Sequence, residues 1–191
     1  SDGTPTYNFA CVVDDALMKI SHVIRGDDHI SNTPKQILFY EALGFSLPIF
    51  VHIPMILSKG GGRLSKRYGA TAISEYRNMG FLPESIVNYL MLLGWSAGDN
   101  REIISLEEAI KLFDIKDVNK TSAVFDLNKL RWINSQYIQK KDPQELMTAI
   151  MPFLKKRNFV QDNFDKDYLL SIIKLFQARI SVLEEFPEWA D

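Results

Sequence analysis

The stretch of sequence that decides the fold is residues 19–57, KISHVIRGDDHISNTPKQILFYEALGFSLPIFVHIPMIL. Residues 19–24 are rich in β-branched side chains and predict a strand. A helix of about ten residues is predicted to begin near Pro34 and to stop at Gly44. Residues 49–57 are almost continuously apolar but contain Pro54, which predicts a buried strand with an interruption near its end. A strand, a helix and a strand in this order predict part of a parallel, doubly wound sheet.

The segments on either side of this stretch differ in character. Residues 7–13 combine aromatic and β-branched side chains and predict one more strand, followed by a turn at Asp14 and Asp15. After residue 58 the apolar side chains recur at helical spacing, and helix start signals stand at Pro83, Ser105, Asp126, Asp142 and Lys166. The last helix is predicted to reach residue 183, with an inward face of Tyr168, Ile172, Leu175 and Phe176. The predicted fold class is therefore α/β followed by all-α.

The composition is that of an ordinary globular chain of 191 residues, 46% hydrophobic and 24% charged, which excludes disorder. Its net charge of -2 excludes binding of nucleic acid by bulk positive charge alone. A single cysteine, Cys11, excludes a disulfide framework and a zinc site built on cysteines, and it favours a reducing, cytoplasmic setting. His22, His29 and His52 lack the spacing of a metal site. No apolar run reaches the roughly 20 residues of a membrane helix, so no membrane association is expected.

Residues 58–80 form a basic island with five basic residues and one acidic residue, whereas residues 1–57 hold three basic and six acidic residues. Three glycines followed by RLSKR at residues 63–67 predict a mobile loop that presents cations and a hydroxyl after a strand. Ligands of open α/β sheets bind at the carboxyl ends of strands, and such a loop suits phosphate. The spacing is not that of a P-loop, and a solvated surface loop is the alternative.

Residues 63–67 resemble the KMSKS signature of class I aminoacyl-tRNA synthetases, in the KLSKR form typical of glutamyl-tRNA synthetases. Arg63 stands where that family usually has lysine, which keeps the charge but changes the donor geometry. The blocks VVDD and IRGDD favour the glutamate enzymes over the glutamine enzymes. The other matching stretches follow the family's order and cover nearly the whole chain: residues 2–10, 23–29, 31–36, 92–96, 123–126 and 130–132.

The resemblance implies three domains. Residues 1–57 would be the second half of a Rossmann-type catalytic domain, and residues 58–141 a KMSKS-type loop with a helical stem-contact domain. Residues 142–191 would be the first helices of an anticodon-binding domain. The family's His-Ile-Gly-His signature is absent, and the chain starts at Ser1 without methionine. We therefore expect a fragment that does not aminoacylate by itself.

The resemblance also implies the chemistry. ATP activates L-glutamate to glutamyl-adenylate, and the glutamate then passes to tRNA(Glu). The expected cofactors are ATP and the Mg²⁺ that accompanies it, with no zinc in this segment, and the expected state is a cytoplasmic monomer. Lys66 is implied as the catalytic residue, because a positioned cation stabilises the negative charge that spreads over the phosphates in the transition state.

The family's other functional positions match residues of three kinds in this sequence. Tyr7 and Arg25 match the glutamate-binding positions, and a phenol and a guanidinium suit carboxylates. The implied ATP-binding residues are Asp28, Ile56, Arg63, Leu64, Ser65, Lys66 and Arg67. Basic residues of the helical part that could meet RNA phosphates are Lys129, Arg131, Lys140 and Lys141.

Three alternatives stay open at this point. The chain could be a non-catalytic helical tRNA-binding module whose basic loop grips only RNA. It could belong to a different nucleotidyl-transferring α/β enzyme. Within the synthetase interpretation, a glutaminyl-type or non-discriminating enzyme is the third alternative. Trp95 and Trp132 are predicted to be core anchors and not platforms for stacked bases.

Overall fold

The computed structural model describes residues 3–64, 72–160 and 164–189. The chain divides into two compact units. The first unit comprises Ser1–Met55 with Val118–Ala123, and the second comprises Ile56–Asp117 with Val124–Asp191. Within the described ranges, no helix has the length and apolar character needed to cross a bilayer.

The first unit contains a two-stranded parallel sheet, as predicted. In chain order its elements are α1 (Tyr7–Leu17), β1 (His22–Gly26), a 3-10 helix (Asp27–Asn32), α2 (Thr33–Leu43) and β2 (Ile49–Ile53). The register places His22 opposite Ile49 and Gly26 opposite Ile53. α2 stops at Gly44, whose φ of 71° is left-handed and is most easily adopted by glycine.

The predicted strand at residues 7–13 is wrong, because these residues form the start of α1. Phe9 and Val12 lie three positions apart and share a helical face, on which Val12 is buried and Phe9 packs edge-to-face on Phe39 of α2. Packing against α2 therefore outweighs the strand preference of the β-branched residues. The predicted turn at Asp14 and Asp15 lies inside the helix.

The two observed strands are shorter than the predicted ones. β1 begins at His22 instead of residue 19, and β2 ends at Ile53 instead of residue 57. The end of β2 lies directly before Pro54, where the sequence predicts an interruption, because proline has no N–H to donate to the ladder. The side chains of β2 are half-buried or exposed, so the prediction of a buried strand is wrong.

The second unit is helical, which confirms the predicted change in fold class. Its elements are α3 (Ile73–Asn78), α4 (Pro83–Gly94), α5 (Leu106–Leu112), a 3-10 helix (Ile115–Asp117), α6 (Leu127–Lys140), α7 (Pro143–Lys156), α8 (Lys166–Phe176), a 3-10 helix (Leu183–Glu185) and α9 (Phe186–Trp189). The predicted caps are confirmed. The side chains of Ser105, Asp126 and Asp142 each accept a hydrogen bond from a backbone N–H in the first turn of α5, α6 and α7.

The largest apolar cluster of this unit joins α6, α7, α8 and the C-terminal segment through Ile138, Leu146, Ile150, Ile173 and Phe186, all fully buried. It includes side chains from both sides of the predicted domain boundary between residues 141 and 142. That boundary stays a prediction.

The predictions for the end of α8, for part of its inward face and for one tryptophan are wrong. α8 ends at Phe176, where Gln177 donates its side-chain N–H groups to carbonyls at the end of α6. The buried face of α8 carries Leu169 and Ile173, which pack against α7. Of the four residues predicted to face inward, Ile172 and Phe176 pack against the same apolar cluster, whereas Tyr168 and Leu175 are exposed. Trp95 is buried as predicted, but Trp132 is 44% exposed.

Candidate functional site

The guanidinium of Arg25, in the first unit, is held by hydrogen bonds to three side chains. It projects from β1, where Nη1 donates to Oε1 of Gln36 at 2.8 Å and Nη2 donates to Oγ1 of Thr33 at 2.7 Å. Nε lies 3.4 Å from Nε2 of His52, and the guanidinium carbon lies 5.3 Å from the centre of the Phe50 ring. These groups orient the guanidinium without neutralising it, so that its charge can attract an anion.

The neutral state of His52 belongs to this arrangement. Burial lowers the pKa of His52, and the charges of Arg25 and His29 lower it further, while Asp27 opposes them. Its Nε2 atom also lies 3.0 Å from Oγ1 of Thr33. A neutral ring can present a lone pair at Nε2, which makes His52 an acceptor for the N–H of Arg25.

Tyr7 lies at the start of α1, and its side chain is 56% exposed. A hydrogen bond with Cys11, one turn later in the helix, raises the pKa of the Tyr7 phenol, and burial adds to the effect, while the charge of Arg25 opposes it. The phenol therefore stays protonated at neutral pH and can donate to a carboxylate. The Tyr7 ring lies 6.2 Å from that of His29.

Cys11 is a contact of Tyr7 to which the sequence analysis assigned no role in the site. It is only half-buried. The signal that could have found it is its spacing of four residues from Tyr7, which places both on one helical face. Because residues 7–13 were predicted to be a strand, this helical spacing could not be applied to them.

Asp28 is the second residue after β1, in the short 3-10 helix. A Cβ atom on Gly26 would lie 2.6 Å from Oδ1 of Asp28 and 3.3 Å from Sδ of Met55. The Asp28 side chain thus folds back over the backbone of Gly26. This places an exposed carboxylate at the carboxyl end of a parallel strand, which is where ligands of such sheets bind.

Ile56 and Leu64 are brought together in the second unit by a tight hairpin. The N–H of Leu64 donates to the carbonyl of Ile56 at 3.2 Å, and Leu57 pairs with Arg63 in an antiparallel bridge. The N–H of Ser58 donates to the carbonyl of Gly62 at 2.7 Å and closes the turn. The described part of the predicted mobile loop is therefore a hydrogen-bonded hairpin.

Two contacts tie this hairpin to the beginning of α6. The N–H of Phe125 donates to the carbonyl of Leu57 at 2.8 Å, and Nζ of Lys59 lies 3.1 Å from Oδ1 of Asp126. The contact with Lys59 lowers the pKa of Asp126, which also caps α6. The same carboxylate thus caps α6 and forms an ion pair with Lys59 of the hairpin.

The structure brings the predicted site residues together in two groups. Tyr7, Arg25 and Asp28 belong to the first unit, whereas Ile56, Arg63 and Leu64 belong to the second. Ser65, Lys66 and Arg67 lie outside the described residues. Their roles stay predictions. Among the residues that the structure describes, no group of three His, Cys, Asp or Glu side chains could hold a metal ion.

Three of the four basic residues predicted to meet tRNA form intramolecular ion pairs. Nζ of Lys129 lies 2.7 Å from Glu102, and Nζ of Lys141 lies 2.7 Å from Glu84. Arg131 pairs with Glu185. The fourth residue is Lys140, which is exposed at the end of α6. A phosphate contact by the first three would have to compete with these carboxylates.

Comparison with known proteins identifies the class of this fold and site. Residues 1–132 match the family described as tRNA synthetases class I (E and Q), catalytic domain. The match covers more than half of the chain, so the chain belongs to this family.

Individual relatives of the chain are named glutamate–tRNA ligases. The chain is 53% identical over 190 residues to a glutamate–tRNA ligase of Trichlorobacter lovleyi, covering 100% of the chain and 40% of the relative. It is 51% identical over 190 residues to that of Aquifex aeolicus, covering 98% of the chain and 40% of the relative. The crystal structure of a glutamate tRNA ligase from Elizabethkingia meningosepticum in complex with its amino acid matches with a TM-score of 0.87 and 36% identity. This match covers 98% of the chain and 40% of the ligase in that structure. The chain thus spans about two fifths of the length of these relatives.

Proposed function

We propose that this chain is part of a cytoplasmic, monomeric glutamate–tRNA ligase that activates L-glutamate with ATP and transfers it to tRNA(Glu). The observation that carries the proposal is the Arg25 guanidinium, which uncharged partners orient within electrostatic reach of the Tyr7 phenol. An amino acid with two carboxylates suits these two donors. The names of the relatives support glutamate over glutamine as the substrate.

In this proposal, Tyr7 and Arg25 bind glutamate so that its reacting carboxylate attacks the α-phosphate of ATP. Asp28 contacts the nucleotide near its ribose, and Ile56 lies against adenine. The segment from Arg63 to Arg67 meets the phosphates, and Mg²⁺ enters with ATP and is held chiefly by the nucleotide. Pyrophosphate leaves, and the charge that develops on the phosphates is stabilised by Lys66.

tRNA binding is proposed for the helical part of the second unit. Lys140 is the first choice, because its side chain is exposed at the end of α6. The ion pair of Lys129 is a surface pair of modest strength, which an RNA phosphate can displace. The pairs of Arg131 and Lys141 are partly buried, so these two residues are weaker candidates. Such contacts give affinity that depends on salt and little on sequence.

The test is the exchange of pyrophosphate into ATP by the complete ligase. Lys66→Ala should lower the glutamate-dependent exchange rate by roughly 10²–10³-fold, the usual cost of losing one donor to the transition state. Arg77→Ala, in the same basic island but outside residues 63–67, is the matched control and should leave the rate unchanged. Unaltered exchange by Lys66→Ala would overturn the catalytic assignment, and RNA binding without exchange by the unmutated ligase would favour the non-catalytic module.

A further inference from the structure

Gln36 connects the two elements that carry the proposed glutamate-binding residues. Gln36 lies on α2 and is buried, with 2% of its surface exposed. Its Oε1 atom accepts from Nη1 of Arg25 at 2.8 Å, and its Nε2 atom donates to Oδ1 of Asn8 at 3.1 Å. Asn8 is the neighbour of Tyr7 on α1. A single buried amide thus contacts both the guanidinium on β1 and the first turn of α1.

We propose that Gln36 is a positioning residue for the substrate amino acid: it holds the Arg25 guanidinium and the first turn of α1 in register, so that Arg25 and Tyr7 meet glutamate together. The inference rests on the proposed function of these two residues. It adds a residue that acts through Arg25 and does not itself touch the substrate.

The amide is suited to this task because it offers an acceptor and a donor while remaining uncharged. A leucine at this position would leave an N–H of Arg25 and the side-chain oxygen of Asn8 without their present partners. A glutamate would still accept from Arg25, but it would neutralise the guanidinium and could not donate to Asn8. The uncharged amide orients Arg25 and leaves its charge for the ligand.

The rest of the guanidinium environment follows the same principle. Thr33 and His52 are the other two acceptors, and both are uncharged at neutral pH. Three of the five N–H groups of arginine are engaged in these contacts. Within the described part of the chain, two N–H groups are thus left for a bound carboxylate, one on each terminal nitrogen.

The experiment measures KM for glutamate and for ATP, together with kcat, in the complete ligase. Gln36→Glu should raise KM for glutamate about tenfold or more, because the new carboxylate competes with the substrate for Arg25. KM for ATP should change less than about twofold, since Arg25 is not in contact with the nucleotide in the proposed mechanism. Gln144→Glu is the matched control, because it makes the same chemical change at an exposed position of α7.

A double-mutant cycle separates positioning from a general effect on folding. In an Arg25→Ala background, Gln36→Glu should add less than about twofold to KM for glutamate, because the group through which it acts is gone. Asn8→Ala is a second variant that leaves the contact between Gln36 and Arg25 in place and removes the link to α1. It should raise KM for glutamate by a smaller factor, and thermal unfolding of each variant checks that it is folded.

The outcomes are distinguishable. If Arg25→Ala raises KM for glutamate but Gln36→Glu does not, or if the two effects multiply, the role of Gln36 is refuted and the proposed glutamate site stands. If Arg25→Ala leaves KM for glutamate unchanged, the proposed site itself fails, and the role of Gln36 fails with it.

Discussion

The charge of Arg25 is the property on which the candidate amino-acid site depends. Its three hydrogen-bond partners come from α2 and β2, and all of them are uncharged at neutral pH. Protonation of His52 would convert Nε2 from an acceptor into a donor and place a second cation beside the guanidinium. The electrostatic state of this imidazole therefore controls how well Arg25 is held.

This dependence predicts a pH effect on glutamate binding. The pKa of His52 is lowered from its ordinary value of 6.5, so the ring stays neutral at pH 7.5 and takes up a proton only below that ordinary value. Acidification should thus raise KM for glutamate in the complete ligase, as Arg25 loses one acceptor. The facing charged groups are Arg25 and His29, which lower the pKa, and Asp27, which raises it.

His52→Gln is the control for this pH effect, since it keeps an acceptor and removes the titration. Its KM for glutamate should not change with pH where that of the unmutated ligase rises. If KM for glutamate followed the same pH profile in His52→Gln and in the unmutated ligase, His52 would not be the titrating group.

The lowered pKa of His52 also has a consequence for folding, because the unfolded chain binds a proton at His52 at higher pH than the folded chain does. Below pH 6.5 this residue therefore subtracts from the free energy of unfolding.

At the scale of elements, the start of α6 combines two tasks in one carboxylate. Asp126 accepts from the N–H groups of Asn128 and Lys129 and also pairs with Lys59 of the hairpin. The cap satisfies backbone donors that would otherwise lack a partner, whereas the ion pair is largely exposed. The cap should therefore contribute more to stability than the ion pair.

Two substitutions separate these contributions. Asp126→Ala removes both the cap and the ion pair and should lower the free energy of unfolding by about 1 kcal/mol, within the range for lost N-caps. Asp126→Asn keeps a capping oxygen, loses the charge, and should cost only a few tenths of that. Urea unfolding followed by circular dichroism measures both. Equal losses for the two variants would show that the ion pair, and not the cap, stabilises this helix start.

At the scale of the whole chain, residues far apart in sequence meet at Gly80. Its carbonyl accepts from the N–H of Leu183 at 2.9 Å, and its φ is 84°. A Cβ atom here would lie 2.6 Å from the backbone nitrogens of Leu183 and Glu184. The segment after α3 and the C-terminal 3-10 helix thus approach each other as closely as a glycine allows.

Gly98 provides a matched comparison, because it has the same φ of 84° and, among the described residues, has nothing within 4 Å of its would-be Cβ. Gly98→Ala should cost about 1–2 kcal/mol of unfolding free energy, the cost of a left-handed conformation with a side chain. Gly80→Ala should cost about 1–3 kcal/mol more, because the backbone of Leu183 and Glu184 must also move. Chemical denaturation of both variants tests this, and similar losses would mean that the close approach carries no penalty.

The parts of the fold that could be predicted from the sequence are those set by short-range chemistry. The caps at Ser105, Asp126 and Asp142 lie where side chains bond to N–H groups two or three residues away. The strand–helix–strand order was predictable for the same reason, since Gly44 and the apolar runs act locally. The family was also predictable, because its blocks are contiguous stretches of the chain.

What only the tertiary structure decided is which face each element buries and which side chains meet. Residues 7–17 are helical because Phe9 packs on Phe39 of α2 while Val12 is buried, and α8 buries Leu169 and Ile173 because α7 lies on that side. The contact of Gln36 with both Arg25 and Asn8 joins three elements. Burial and long-range hydrogen bonds depend on partners that are distant in sequence, so local sequence patterns do not predict them.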